Sequence, residues 1–284
     1  MQKTLYISDM DGTLLGSDSR ISPRTASILN GLAKHGVLFT VATARTPATV
    51  VPLLSGIRTL APAIVMTGSA MWNHAEGHFF NPHFLPAGEV ERSLEICSRH
   101  GVVPFVYLMA ADNRTLDVYH STANLNTAER AFYEERANLE LKRFHLGTPA
   151  PERALYNTIL FYAMGPREGI EKAAEELKAV SGCTIQCYPD IFNHDVYNLE
   201  VFPPGVTKAK AVLELKEAMG ADKVVVFGDN YNDIPMLQAA DVAIAMGNAF
   251  DEVKDIADIV IEPNYTDAVA RYVARDAGLD YLAL

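Results

Sequence analysis

Residues 4–16 read TLYISDMDGTLLG: an apolar run, two aspartates one residue apart, then Gly-Thr. The run reads as a short strand, which sets Asp9 and Asp11 just past its end. Two carboxylates close in space repel one another unless a cation or a proton lies between them. Asp-Gly is also a turn dipeptide, and an aspartate after a strand often caps the next element, so the stretch by itself admits a structural reading beside a chemical one.

Working outward, the elements alternate. Ser22 caps a helix that carries Pro23 in its first turn and Gly36 just past its end. VLFTVATAR (37–45) reads as a buried strand, Thr46-Pro47 opens another helix, and AIVMTG (63–68) is a third strand. Strand, helix, strand, helix, strand predicts a parallel sheet with right-handed crossovers. The rhythm returns from residue 207: helix TKAKAVLELKEAMG, strand KVVVFGD, helix NDIPMLQAA, strand DVAIAM, helix AFDEVKDIA, strand DIVIE and a last helix through Ala277. Such short strands rich in Val and Ile suit a sheet covered on both faces. The stretch between, 84–196, shows paired antiparallel strands with helices and reads as a separate α+β unit inserted into the first. The predicted fold is therefore α/β, a Rossmann-like parallel-sheet core from 1–83 and 197–284 with an inserted α+β domain over 84–196.

The 284 residues carry 35 acidic and 24 basic side chains, a net charge of −11, which disfavours nucleic acid as a partner. No apolar run approaches the ~18 residues of a membrane span, and the N-terminal stretch lacks a signal peptide's apolar core, so a cytoplasmic protein without membrane association is expected. Cys97, Cys183 and Cys187 are too few for a disulfide scaffold and fit a reducing compartment. His74, His78 and His83 fall in a hairpin-like stretch rather than on a ligand-presenting helix face.

Ligands of an open parallel sheet bind beyond the carboxyl ends of its strands. There stand Asp9 and Asp11, then Thr43-Ala44-Arg45, then Lys208 at the start of a helix, then Asp229 with Asn232 and Asp233 close behind. Each has a plainer reading: Thr43 as a hydroxyl at a helix start, Arg45 as a solvated surface charge, Asp229 or Asp233 as a cap. Lys208 is harder to read so, because a cation in a helix's first turn opposes the helix dipole by a few tenths of a kcal/mol. Together the groups supply acids, a hydroxyl and a lysine at one sheet edge, which is what a magnesium-bound phosphate requires.

DMDGTLL (9–15), VATAR (41–45), PPGVTKAKAV (203–212) and GDNYNDIPML (228–237) resemble, in order and spacing, the four motifs of the haloacid dehalogenase superfamily. The insertion resembles the C2-type cap of its Cof-like, type IIB sugar-phosphate phosphatases. The resemblance implies that Asp9 is the nucleophile forming an aspartyl-phosphate and Asp11 the general acid and base. It implies Mg²⁺ held by Asp9, the Asp11 backbone carbonyl and Asp229, with Asp233 and Asn232 in support. Thr43, the Ala44 backbone N–H and Lys208 would hold the phosphate oxygens. Two positions depart from the pattern: Thr43-Ala44-Arg45 replaces Thr-Gly-Arg, and Gly68-Ser69-Ala70 replaces Asn-Gly-Ala. In the cap, the loop DIFNHDVYN (190–198) offers Asn193, His194 and Asp195 to a substrate. The expected activity is hydrolysis of a small phosphorylated metabolite such as a sugar phosphate. A phosphotransferase or phosphomutase using the same aspartyl-phosphate, and a non-catalytic metabolite sensor, are the alternatives. No protein partner is inferable.

Overall fold

The computed structural model describes residues 2–190 and 193–283. The chain runs β1 (Thr4–Ser8), α1 (Pro23–Lys34), β2 (Leu38–Val41), α2 (Pro47–Leu53), β3 (Ala63–Val65), β4 (Ala70–Asn73) and β5 (His78–Phe80). It continues through α3 (Ala87–Arg99), β6 (Phe105–Met109), β7 (Leu116–His120), α4 (Thr127–Arg136), β8 (Lys142–Leu146), α5 (Ala154–Asn157), β9 (Thr158–Pro166), α6 (Arg167–Val180), β10 (Thr184–Pro189) and β11 (Val196–Phe202). It returns through α7 (Lys208–Ala218), β12 (Lys223–Gly228), α8 (Ile234–Gln238), β13 (Val242–Ala245), α9 (Asp251–Asp255), β14 (Ile259–Val260) and α10 (Ala268–Asp276). Two compact units result, residues 1–80 with 207–284, and residues 81–206.

The first unit holds a five-stranded sheet in the order β14-β13-β12-β1-β2, with every pairing parallel. Leu5, Ile7, Val224, Val225 and Val226 are fully buried, as strands covered on both faces must be. The Ser22 hydroxyl accepts from the Thr25 N–H at 2.9 Å, the predicted cap. Pairing Ser8 with Phe227 brings the chain just past β1 beside the chain just past β12. β3 departs from expectation: it meets the parallel region only through a bridge between Ala42 and Ile64, then pairs antiparallel with β4. Met66, Thr67 and Gly68 all take positive φ, which reverses the chain within three residues.

The second unit is a six-stranded sheet in the order β10-β11-β9-β6-β7-β8. One face packs a core that includes Ile96 and Cys97 of α3, Ile170 and Leu177 of α6, and Leu199 and Val201 of β11. On the other face, Phe132 of α4 lies against Phe105, Phe144 and Tyr162. β8 and β11 are strands that the sequence pattern leaves unassigned, β11 beginning within the stretch 190–198 that reads as a loop, and β8 runs parallel to β7. β11 pairs with both β10 and β9, so the second unit runs to Val206 rather than ending at 196.

His120 ties α4 to this sheet. The ring has no exposed surface, its Nδ1 lies 2.8 Å from the Thr122 carbonyl and its Nε2 3.2 Å from the Val103 carbonyl. The Glu129 carboxylate is 3.7 Å from Nε2. Burial disfavours the ring's charge, but hydrogen bonding and the attraction of Glu129 outweigh it, and the pKa is raised above the usual histidine value. A raised folded-state pKa gives stability that is complete below the unfolded value and is lost as pH rises through the folded one. The ring should therefore titrate by NMR above the ~6.5 of free histidine. The stability gap between wild type and His120→Gln should shrink on the alkaline side; a gap independent of pH would refute the charged ring.

Candidate active site

Asp9 follows β1, with its N–H bonded to the Phe227 carbonyl at 3.0 Å. Thr207 caps α7 through its hydroxyl, and this sets Lys208 as the first helical residue. The Lys208 ammonium donates to Asp9 Oδ1 at 2.6 Å and to Asp233 Oδ1 at 2.8 Å, all three residues being buried. Its anionic neighbours explain a cation at a helix start. Asp233 uses its other oxygen to accept from the backbone N–H groups of Asp229 and Asn230, both at 3.2 Å. It is thus fully engaged in holding the turn after β12 and the lysine together.

Asp229 accepts from the Thr13 hydroxyl at 2.7 Å. Gly12, at φ +82°, brings backbone so close that a Cβ there would lie 2.3 Å from Asp229 Oδ2, so only glycine serves. Asn248 donates to the Gly12 carbonyl at 2.8 Å and pins the same loop. Asp9, Asp229 and Asp233 each offer an oxygen within 4.8 Å of the others. Burial pushes the Asp9 carboxyl up to about 7, against the pull of Lys208 and with the push of Asp233 and Asp229. Burial also lifts Asp229 to about 6, opposed by Thr13 and helped by Asp233. Burial works against the Lys208 charge, but Asp9 and Asp233 overcome it and hold the ammonium above the usual lysine range. With all three carboxylates ionised they face one ammonium and leave two negative charges in excess, and the all-oxygen donor set suits a hard divalent cation.

Asp11 stands outside this cluster. Its side chain is half exposed and gripped by Arg45, with Nε to Oδ2 and Nη2 to Oδ1 both at 2.7 Å. Arg45 is therefore not the solvated charge of the plainer reading. Thr43 is buried, and its hydroxyl accepts from the Arg45 N–H at 3.2 Å. Ala44 is exposed, and its N–H has no hydrogen-bond partner among the described residues. Asn232 is exposed and makes no side-chain hydrogen bond among the described residues; the support expected of it comes from Asn230, which caps the same turn through the Tyr231 N–H at 2.7 Å. Ser69 is fully buried.

The second unit carries the other expected residues. Asn193 shapes the turn between β10 and β11, its N–H on Asp190 at 3.0 Å and its side-chain oxygen on the Asp195 N–H at 3.2 Å. His194 and Asp195 are exposed. Ile191 and Phe192 of that loop lie outside the described residues.

Residues 6–273 match the haloacid dehalogenase-like hydrolase family. The chain belongs to that family. Among its relatives, the pyridoxal phosphate phosphatase of Escherichia coli K12 is 26% identical over 267 residues, 93% of this chain and 95% of its own. A 5-amino-6-(5-phospho-D-ribitylamino)uracil phosphatase of Bacillus subtilis 168 is 26% identical over 271 residues, 95% of this chain and 94% of its own. In structure, a haloacid dehalogenase-like hydrolase from Bacteroides thetaiotaomicron superposes with a TM-score of 0.76 at 23% identity, covering 97% of this chain and 100% of its own. A subclass IIB sugar phosphatase of the superfamily shares the fold at a TM-score of 0.69 and 22% identity, covering 97% of this chain and 99% of its own.

Proposed function

We propose that this family member is a Mg²⁺-dependent phosphatase that moves the phosphoryl group of a small phosphorylated metabolite, such as a sugar phosphate, through Asp9 to water. The observation that carries the reading is the buried Asp9 carboxylate, tied through one oxygen to Lys208 inside a three-carboxylate cluster at the end of β1, an interior strand of the parallel sheet. Its Oδ2 accepts no hydrogen bond among the described residues and is the atom assigned to attack. The activity of the phosphatase relatives supports the reaction class.

Asp9 and Asp229, with the Asp11 backbone carbonyl, would hold the metal. Bound there, Mg²⁺ supplies the charge that the excess carboxylates lack and draws electron density from the phosphoryl oxygens. A bond forms between Asp9 Oδ2 and phosphorus as the bond to the leaving oxygen breaks. The Thr43 hydroxyl, the Ala44 N–H and Lys208 are assigned to the non-bridging oxygens, where negative charge builds. Asp11 gives a proton to the departing alkoxide, then takes one from the water that attacks the aspartyl-phosphate. Both Asp11 oxygens are held by Arg45, so the proton step requires that pair to part.

Asp11→Asn keeps the nucleophile and the backbone carbonyl and removes only the proton carrier. Its loss on an alkyl phosphate should exceed its loss on an aryl phosphate by about 10²–10⁴-fold, because a phenolate leaves without help. Equal losses on both would remove the acid role. Free phosphate should appear as product when a panel of phosphorylated sugars and cofactors is screened with Mg²⁺ and again in EDTA. Transfer of the label to a second metabolite in place of water would overturn hydrolysis, and full turnover in EDTA would overturn the metal requirement.

A further inference from the structure

On the sheet face of the second unit that α4 covers, one lysine takes no part in phosphoryl transfer. Lys142, the first residue of β8, is only 5% exposed. Its ammonium lies 5.1 Å from the centre of the Tyr107 ring, 5.9 Å from that of Phe132 and 5.8 Å from that of Phe144. Among the described residues it has no hydrogen-bond acceptor and no carboxylate partner. Ring faces attract an ammonium but accept its hydrogen bonds poorly, and a lysine is almost never buried without an anionic partner.

The charged group that acts on Lys142 adds to the imbalance. Arg136 of α4 is a second cation, its guanidinium 4.3 Å over the Phe132 ring. It donates to the Phe132 carbonyl at 3.2 Å and to Glu135 at 2.6 Å, and Glu135 is 70% exposed. Glu200, a buried carboxyl on this sheet, lies on β11, separated from β8 by β9, β6 and β7, and makes no ion pair with either cation among the described residues.

We propose that Lys142 and Arg136 form a receptor for an oxyanion, a phosphate or carboxylate group carried by a small molecule, walled by the rings of Tyr107, Phe132 and Phe144. The guanidinium fork suits such a group, and the ammonium supplies a point charge beside it. Glu135 is the weakly held, solvated acid that the ligand displaces from Arg136. The site goes beyond the phosphatase reading and does not depend on it.

Burial first, then Arg136, pushes the Lys142 amine down to about 7. An anion that settles there raises the amine's pKa again, so binding takes up a proton. For a carboxylate, which stays ionised through this range, affinity therefore rises as pH falls toward 7 and levels off below it. The rings that face the amine, Tyr107 from β6, Phe132 from α4 and Phe144 from β8, bring no charge that titrates in this range; on the same sheet face Glu200, whose charge reaches Tyr107 and whose carboxyl burial pushes up to about 7, and His120, raised by Glu129, do titrate there.

The test uses the full chain labelled with ¹³C-lysine, the Lys142 Cε signal being assigned by its absence in Lys142→Met or, if that variant does not fold, in Lys142→Arg. Inorganic phosphate and acetate are titrated separately. A saturable shift of the signal is expected, with roughly 10- to 100-fold weaker binding in Arg136→Gln, the loss of a charge-assisted hydrogen bond. Tighter binding in the phosphate arm identifies a phosphorylated ligand, and in the acetate arm a carboxylate. A signal that neither anion moves, or an affinity that Arg136→Gln leaves unchanged, overturns the proposal.

Discussion

Asp9→Asn should lower kcat by roughly 10⁴–10⁶-fold, the scale on which an enzyme loses its nucleophile. The amide keeps the shape and an oxygen that still accepts from Lys208, but its nitrogen and carbonyl do not attack phosphorus at a useful rate. Because the change removes one of three mutually repelling carboxylates, the folded state should not suffer. Rapid quench with a labelled aryl phosphate separates this from a binding defect: label should accumulate on Asp11→Asn and none should stay on Asp9→Asn. Label retained on Asp9→Asn would reassign the nucleophile.

Lys208→Met should be the most damaging substitution for the fold of the first unit. Methionine matches the stem of the lysine but leaves Asp9 and Asp233 buried with no cation against them. Removing one partner of a buried pair costs about 3–5 kcal/mol, which lowers the melting temperature by roughly 10 °C. The pH dependence has a definite sign. Asp9 already has a folded-state carboxyl pushed to about 7, and loss of Lys208 pushes it further up. A carboxyl raised on folding costs stability where it is ionised, so the variant should regain ground as pH falls and Asp9 takes up a proton. Added Mg²⁺ should restore part of the loss near neutral pH, and activity should stay at least ~10²-fold down because a donor to the transition state is missing. A variant as stable as wild type at all pH values would refute the view that Lys208 balances these acids.

The parts of the core that are legible in the sequence are those where one physical rule acts alone. Strands rich in Val and Ile that alternate with capped helices leave a parallel sheet as the answer, and residues after such strands gather at one edge, which groups Asp9, Thr43 and Asp229; Lys208 joins them from the start of α7. β8 and β11 escape such a rule because each has one polar face. In VYNLEVF (196–202), Leu199 and Val201 enter the core while Asn198 and Glu200 face the other way and are nonetheless buried, a pattern that reads as loop until the opposing layer is known. KRFHL (142–146) hides in the same way behind Lys142 and Arg143. The grip of Arg45 on Asp11 joins residues 34 apart, and no local rule selects it over solvent. Asn230 and Asn232 differ only in register, and the cap geometry decides for the former.

The pairing of β1 has an implication for the birth of the molecule. One of the two sheet neighbours of β1, β12, begins only at Lys223. The lysine that balances Asp9 is 199 residues downstream, which at ordinary translation speeds is a wait of roughly 10–40 s. Through that interval the nascent chain holds an apolar strand with one flank unpaired, while residues 81–206, whose sheet is built from its own strands alone, emerge whole. The inserted unit is complete before the acidic cluster around Asp9, so a truncated chain ending before Lys208 carries the proposed nucleophile without Lys208, Asp229 or Asp233.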